Sequence, residues 1–187
     1  MRQKPLIYDF GMHIADDTEV YLKKGFRVVA VEADPLLCDQ ARKRFPDAVS
    51  IGDLIILNWA VGDLEGILNF YVCNERTSLS TASKQVVKVQ MLKNGVTYRT
   101  VPVEFTTADK ILAQLGPARY TKIDVEGHDL MCLEQIARGE QAPDYLSFEV
   151  DVRTCHRAIE TCRKMQFNRF ALVSQSTVKG MQAPIPS

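Results

Sequence analysis

The sequence predicts an α/β protein, with a mostly parallel sheet flanked by helices in a single domain spanning residues 1–187. Three observations predict it. Short apolar runs alternate with helical segments of about 10 residues, the pattern of βαβ units. Several of those runs read as fully buried strands. The length of 187 residues fits one domain.

Leu6–Phe10 is an apolar run closed by Gly11 and reads as a buried strand. Asp16–Lys24 reads as a helix, acidic in its first turn, basic in its last and stopped by Gly25. Arg27–Ala33 is a valine-rich strand. Asp34 then caps a helix whose first position is Pro35, and Pro46 is expected to end it. Leu54–Val61 reads as one buried strand and Ile67–Val72 as another. Val86–Leu92 and Tyr98–Phe105 alternate around Asn94-Gly95, which predicts an antiparallel hairpin insertion. Thr107–Leu115 reads as a helix, Tyr120–Val125 as a strand and Asp129–Arg138 as a helix. Tyr145–Val150, Thr154–Met165 and Phe167–Ser174 complete the pattern as strand, helix and strand.

Composition narrows the function classes. Hydrophobic residues make up 46% and charged residues 25%, which excludes a disordered tail, a collagen and a coiled coil. Lys+Arg and Asp+Glu are both 23, so there is no basic excess to neutralise phosphates, and a nucleic-acid partner is not expected. No apolar stretch of about 18 residues exists to span a membrane, and the N-terminus does not read as a secretory signal. The five cysteines have no C-x-x-C spacing, so they read as packing residues of a reducing, cytoplasmic compartment. Oligomeric state is not legible.

Ligands of such sheets bind beyond the carboxyl ends of the strands. The residues at those ends include Asp9, Glu32, Asn58, Asp124, Glu126, Glu149 and Asp151, most of them acidic. Clustered carboxylates repel and are costly to desolvate, which points to a ligand. Gly11 allows close backbone approach. Glu32, 21 residues later, is placed to accept hydrogen bonds from a ribose. NAD and S-adenosylmethionine both fit this far. Charge separates them: Asp9, Asp16, Asp17 and Glu19 surround the site where a pyrophosphate would lie. Like charges about 4 Å apart cost roughly 4 kcal/mol at an effective dielectric of 20. S-adenosylmethionine carries an ammonium and a sulfonium instead. The G-x-G-x-x-G fingerprint is also absent, since position 13 is His.

The segment DFGMHIADDTEVYLKKGFRVVAVEADP at 9–35 resembles the first motifs of the FkbM family of S-adenosylmethionine-dependent methyltransferases. NWAVGDLEG at 58–66, TADKIL at 107–112, TKIDVEGHDLMCLEQI at 121–136 and PDYLSFEVD at 143–151 follow in the family's order. The resemblance implies a Rossmann-like class I methyltransferase fold, S-adenosylmethionine as cofactor, and O-methylation of a hydroxyl on a small-molecule, sugar or lipid-like acceptor. Carried over by position, Asp9 and Gly11 belong to the methionine end of the cofactor site, and His13 is counted among the cofactor-binding residues. Thr18 helps with the carboxylate, Glu32 holds the ribose, Asn58 lies by the adenine and Asp124 faces the transferred methyl. The family pattern has Asn where His13 stands, Gly where Ala15 stands and a small residue where His128 stands. A seventh strand has little sequence left after the sixth, and the tail Gln182–Pro186 does not read as a buried strand. The chain is therefore expected to be a minimal form or a fragment.

Methyl transfer to a hydroxyl needs alignment and a route for the proton. Asp124, Glu126 and His128 alternate and would share one face if their strand ran that far. Asp124 is the leading candidate, and histidine is the side chain that titrates near neutral pH. Together with Glu149 these residues also have ligand types that suit magnesium or manganese, although no spacing requires a metal. Ser78, Ser80 and Thr81 read as a solvated loop, with acceptor contact as the alternative. Trp59 reads as a packing residue. Two rival readings remain open: a cofactor-binding remnant without turnover, and a nicotinamide-dependent oxidoreductase.

Overall fold

The computed structural model describes residues 4–173. The chain begins with β1 (Leu6–Phe10), α1 (Asp16–Lys23), β2 (Arg27–Val31), α2 (Pro35–Arg44), α3 (Pro46–Ser50) and β3 (Leu54–Leu57). Next come β4 (Trp59–Val61), β5 (Gly66–Cys73), a 3₁₀ turn (Thr77–Leu79), α4 (Lys84–Asn94) and β6 (Tyr98–Thr106). It closes with α5 (Ala108–Leu115), β7 (Tyr120–Ile123), α6 (Asp129–Ile136), β8 (Tyr145–Phe148) and α7 (Cys155–Lys164). Five parallel strands form the main sheet in the order β3-β2-β1-β7-β8. A second sheet has the order β4-β6-β5.

Strand periodicity sorts the core. Tyr8, Phe10, Val29 and Val31 point to one face and pack against Ile111, Leu133 and Cys162 of the later helices. Ile7, Val28 and Ala30 point to the other, against Tyr21 and Ala41 of α1 and α2. Asp9 alternates with Tyr8 and Phe10, so it faces α1. The chain leaves β1 toward β2 on one side and returns at β7 on the other. The carboxyl ends of β1 and β7 therefore border the crevice at the switch point.

Several elements differ from the sequence expectation. Leu54–Val61 is not one strand. The Asn58 amide donates to the Glu32 and Ala33 carbonyls, both at 3.0 Å. Beyond it the backbone leaves the main sheet and pairs with β6, Trp59 opposite Glu104. The antiparallel ribbon exists, but β5 and β6 make it, from Gly66 opposite Phe105 to Cys73 opposite Tyr98. Val86–Leu92 lies in α4 instead. The Ser83 hydroxyl caps its start by accepting from the Val86 N–H at 3.3 Å. Gly95, at φ 63, closes its end. Asn-Gly is thus a helix stop here, and the caps outweigh the β-branched residues between them. Pro46 starts α3 as its first residue rather than only ending α2. Strands β2, β7 and β8 each stop two residues earlier than expected, at Val31, Ile123 and Phe148. Phe167–Val173 is irregular rather than a strand; Ser174 and the tail Gln182–Pro186 lie outside the described residues. All five cysteines are free, and four of them are buried. Among the described residues no helix is long and apolar enough to cross a membrane.

Gln135 of α6, with no exposed surface, fastens the second sheet to the first. Its Oε1 accepts from the Ala108 N–H at 2.9 Å, just beyond β6. Its Nε2 donates to the Gly62 carbonyl at 2.9 Å, just beyond β4. Replacing it with leucine strands two backbone groups without partners. Each stranded group costs about 1–3 kcal/mol, so Gln135→Leu is expected to lose roughly 2–6 kcal/mol in urea unfolding. A loss under about 0.5 kcal/mol, the level of an ordinary surface substitution, would contradict that role.

Candidate functional site

A cleft of about 880 Å³, partly open to solvent, lies between the carboxyl edge of the main sheet and the second sheet. Val31, Leu37, Trp59, Phe70 and Phe105 give it apolar walls. Glu32, Asp124, Glu126 and His128 bring polar groups to it from the main sheet, and Thr77 and Ser80 from the segment after β5.

The turn from β1 to α1 forms the floor. Gly11 has φ +79, and a Cβ there would lie 1.8 Å from the Asp124 carbonyl oxygen. The close approach that requires glycine is thus that of the β7 backbone. The Gly11 and Met12 N–H groups both donate to the Val31 carbonyl, at 2.9 and 3.1 Å. His13 and Ala15 also have positive φ, 51 and 64. These are the positions where the family pattern has Asn and Gly, the residues that tolerate the left-handed region best. The His13 N–H donates to Glu32 Oε2 at 2.9 Å, and its Nε2 lies 2.6 Å from Thr77 Oγ1. Glu32 Oε1 accepts from the Asp34 N–H at 2.8 Å. Each oxygen of the Glu32 carboxylate is therefore held by a backbone N–H. Burial raises its pKa, against the pull of those bonds.

Asp9 and Thr18 do not reach the cleft. Both are fully buried, and the Thr18 hydroxyl donates to Asp9 Oδ2 at 2.6 Å. Opposite Asp9 across the β1–β7 ladder stands Lys122. Its ammonium lies 3.3 Å from Asp9, 3.3 Å from Asp17 and 3.5 Å from Asp124. It also donates to the Gly11 carbonyl at 3.3 Å. Burial lowers the pKa of this ammonium, but the three carboxylates outweigh burial and raise it overall. Burial pushes the Asp9 carboxyl up, and Lys122 opposes that only in part because it is shared.

This arrangement corrects the charge argument drawn from the sequence. Asp16 and Glu19 pair with Arg44, and Glu19 also with Lys23. Asp9 and Asp17 pair with Lys122. Asp9 on β1 and the three acids in the first turn of α1 are thus each paired, by Lys122 and Arg44 from far along the chain and by Lys23 one turn on, so their repulsion of an anion is partly offset. Lys122 was missed because only acids were sought. The signal was a lysine inside the otherwise uncharged strand Tyr120–Ile123.

Among the described residues Glu126 and Glu149 make no ion pair, and Asp124 has only its share of Lys122. The expectation that Asp124, Glu126 and His128 share a strand face fails, because β7 ends at Ile123. A turn with Glu126 at φ 49 and Gly127 at φ 86 folds all three toward the cleft. Partial burial, then repulsion from Asp124, Glu149, Asp129 and Glu32, pushes the Glu126 carboxyl up to about 7. Burial, with Asp124 and Glu149 nearby, pushes Asp129 up to about 6. Among the described residues no group of three metal-binding side chains converges. Asn58 spends its amide on the Glu32 and Ala33 carbonyls, while its neighbour Trp59 walls the cleft and also packs on the main core. Ser78, Ser80 and Thr81, read as a solvated loop, line the cleft.

The profile of the methyltransferase FkbM domain matches residues 9–167. The chain belongs to the FkbM methyltransferase family. The match runs from the end of β1 past α7, so every wall of the cleft lies within the FkbM domain. No curated protein matches the chain. Among solved structures, precorrin-6y C5,15-methyltransferase from Geobacter metallireducens GS-15 is similar, with 12% identity and a TM-score of 0.47. The match covers 88% of this chain and 63% of that one, so this FkbM chain spans less than two thirds of that protein's length. A likeness at that identity and score says nothing of the chemistry here.

Removing Lys122 leaves the Asp9 carboxylate buried and unpaired. Breaking such a pair costs about 3–5 kcal/mol, so Lys122→Met is expected to lose stability by roughly that much at pH 7.5. The sign of the pH effect follows from linkage: Asp9 titrates higher when folded, so its contribution is present at low pH and lost as pH rises. The deficit of the variant should therefore narrow on acidification to about pH 5, close to the usual carboxyl range. Unfolding curves at both pH values test this, and a deficit independent of pH would refute it.

Proposed function

We propose that the protein transfers a methyl group from S-adenosylmethionine to a hydroxyl of a small-molecule, sugar or lipid-like acceptor. The observation that carries this reading is the Glu32 carboxylate, held by the N–H groups of His13 and Asp34 at the edge of an apolar cleft. A carboxylate fixed through both oxygens keeps lone pairs to accept from the two hydroxyls of a ribose. Val31, Leu37, Trp59 and Phe70 offer a surface for a flat base beside it. Asp124 and Glu126 on the rim of the cleft, with Glu149 near Glu126, suit positive charge; burial is the main cause that raises Glu126 and Asp129, and repulsion among these acids adds to it. A diphosphate would meet the same rim as repulsion, which disfavours the nicotinamide reading. The residues present thus fit S-adenosylmethionine, which when bound supplies an electrophilic methyl on a cationic sulfur.

In this reading Glu32 binds, His13 fixes Glu32 through its backbone and the Thr77 segment through its ring, and Asp124 faces the cationic end of the cofactor. Asp9 and Thr18 position the floor through Lys122 without touching ligand. Gly11 lets β1 and β7 close on each other, and Asn58 holds the loop after β2. Glu126 takes the hydroxyl proton. A carboxylate titrating near 7 is half ionised at neutral pH and basic enough to accept a proton as the new C–O bond forms. His128, at the start of α6, lies beside it on the same cleft.

Calorimetry with S-adenosylhomocysteine is expected to show binding that Glu32→Ala weakens at least tenfold, the scale of one lost charge-assisted contact of about 1.5–3 kcal/mol. No binding to the wild-type protein would refute the cofactor assignment. With a hydroxyl acceptor in hand, the rate should rise with pH through about 7 as Glu126 ionises. Glu126→Gln should abolish that limb and slow turnover about 10²–10⁴-fold while leaving S-adenosylhomocysteine affinity little changed. An unaltered pH profile in the variant would remove Glu126 from the role, and binding without turnover across acceptors would favour the remnant.

A further inference from the structure

The connection from β5 to β6 is basic in a chain of zero net charge. From Asn74 to Thr97 it carries Arg76, Lys84, Lys88 and Lys93 against one acid, Glu75, whose carboxylate accepts from Thr97, and Arg99 follows in β6. Arg99 is spent on Asp34 at 2.7 Å. The three lysines all belong to α4, which buries only Val87. Its outer side carries Val86 (41% exposed), Val89 (41%) and Leu92 (88%). Spaced three apart, these form one apolar stripe along the helix. Lys84 and Lys88 border it, and Lys93 stands at its far end. Gln85 lies within this stripe, and Met91 (47% exposed) stands on the flank nearer Val87. Exposed apolar side chains beside lysines, with no acid on the helix, suit a membrane interface, where lysine stems reach outward to headgroups.

We infer that the outer face of α4 docks on an anionic lipid surface. Charge selects this occupant. A second copy of the chain would set three lysines against three, with no acid on either helix. A polyanion in solution would engage the lysines but leave Leu92 bare. The cleft-wall residues Thr81 and Ala82 lead directly into the Ser83 cap of α4. A surface-bound α4 therefore holds the cleft beside the headgroups. On the methyltransferase reading, this narrows the acceptor to an amphiphile whose hydroxyl enters the cleft while its apolar part stays in the bilayer.

The test is sedimentation of the whole protein with vesicles of phosphatidylcholine, alone or mixed with phosphatidylglycerol. Binding is expected only to the anionic vesicles, and it should fall as salt is raised. Lys88→Gln and Lys93→Gln should each weaken it about fivefold, and Leu92→Ser about tenfold or more. No binding to anionic vesicles would overturn the proposal. So would binding that the lysine variants weaken and Leu92→Ser does not, or a concentration-dependent dimer that Leu92→Ser dissolves. S-adenosylhomocysteine binding by the same samples keeps the two readings apart. It should survive Leu92→Ser unchanged, and its absence alongside intact vesicle binding would leave the surface standing and remove the cofactor.

Discussion

Lys122 sits among Asp9, Asp17 and Asp124, and the floor of the cleft depends on that contact. A carboxylate with no exposed surface is tolerated only with a partner. Asp9 has two, the Lys122 ammonium and the Thr18 hydroxyl. The same ammonium reaches the Gly11 carbonyl, so it fixes the turn that carries His13. His13 in turn holds Glu32. One cation is shared among three anions, however, and the rim beyond it has none. Attraction at the floor and repulsion at the rim differ in sign but share a scale, roughly 4 kcal/mol per pair at about 4 Å and an effective dielectric of 20. The site is built to hold its own backbone together while leaving negative potential over the cleft.

The second sheet makes the edge of the first into a cleft. It is pinned at one end by Gln135, which reaches Gly62 and Ala108, and at the other by the ion pair of Arg99 with Asp34. Asp34 also caps α2 by accepting from the Leu36 N–H at 3.0 Å. The loop after β2 is thus held by the capped helix on one side and by the Asn58 amide on the other. The geometry of Glu32 follows from these neighbours more than from its own strand, which ends one residue before it.

Much of this was legible in the sequence. The main-sheet strands and the helices between them announced themselves through apolar runs, Asp-Pro caps and glycine stops, since each of those signals is local. Glu32 was legible because its spacing from Gly11 is set by one βαβ unit. The failures have a common cause. Asn94-Gly95 serves a hairpin or a helix end equally well, and only the Ser83 cap eleven residues upstream of Asn94 decides between them. Asn58 breaks a strand by hydrogen bonds to residues 25 and 26 positions away. Lys122 and Arg44 neutralise acids that stand far from them in sequence. Charges counted along the chain overstated the acidity of the first turn and understated that of the rim, because compensation is a property of the folded neighbourhood.

The rim beyond Lys122, where Glu126 and Glu149 make no ion pair among the described residues, suits a cationic ligand. A cation bound beside the raised Glu126 and Asp129 carboxyls must lower their pKa values and expel protons. The most direct measurement is calorimetric titration with S-adenosylmethionine near pH 6.5 in buffers of different ionisation enthalpy. Net proton release on binding is the predicted result. Proton uptake, or binding with no proton linkage, would contradict it.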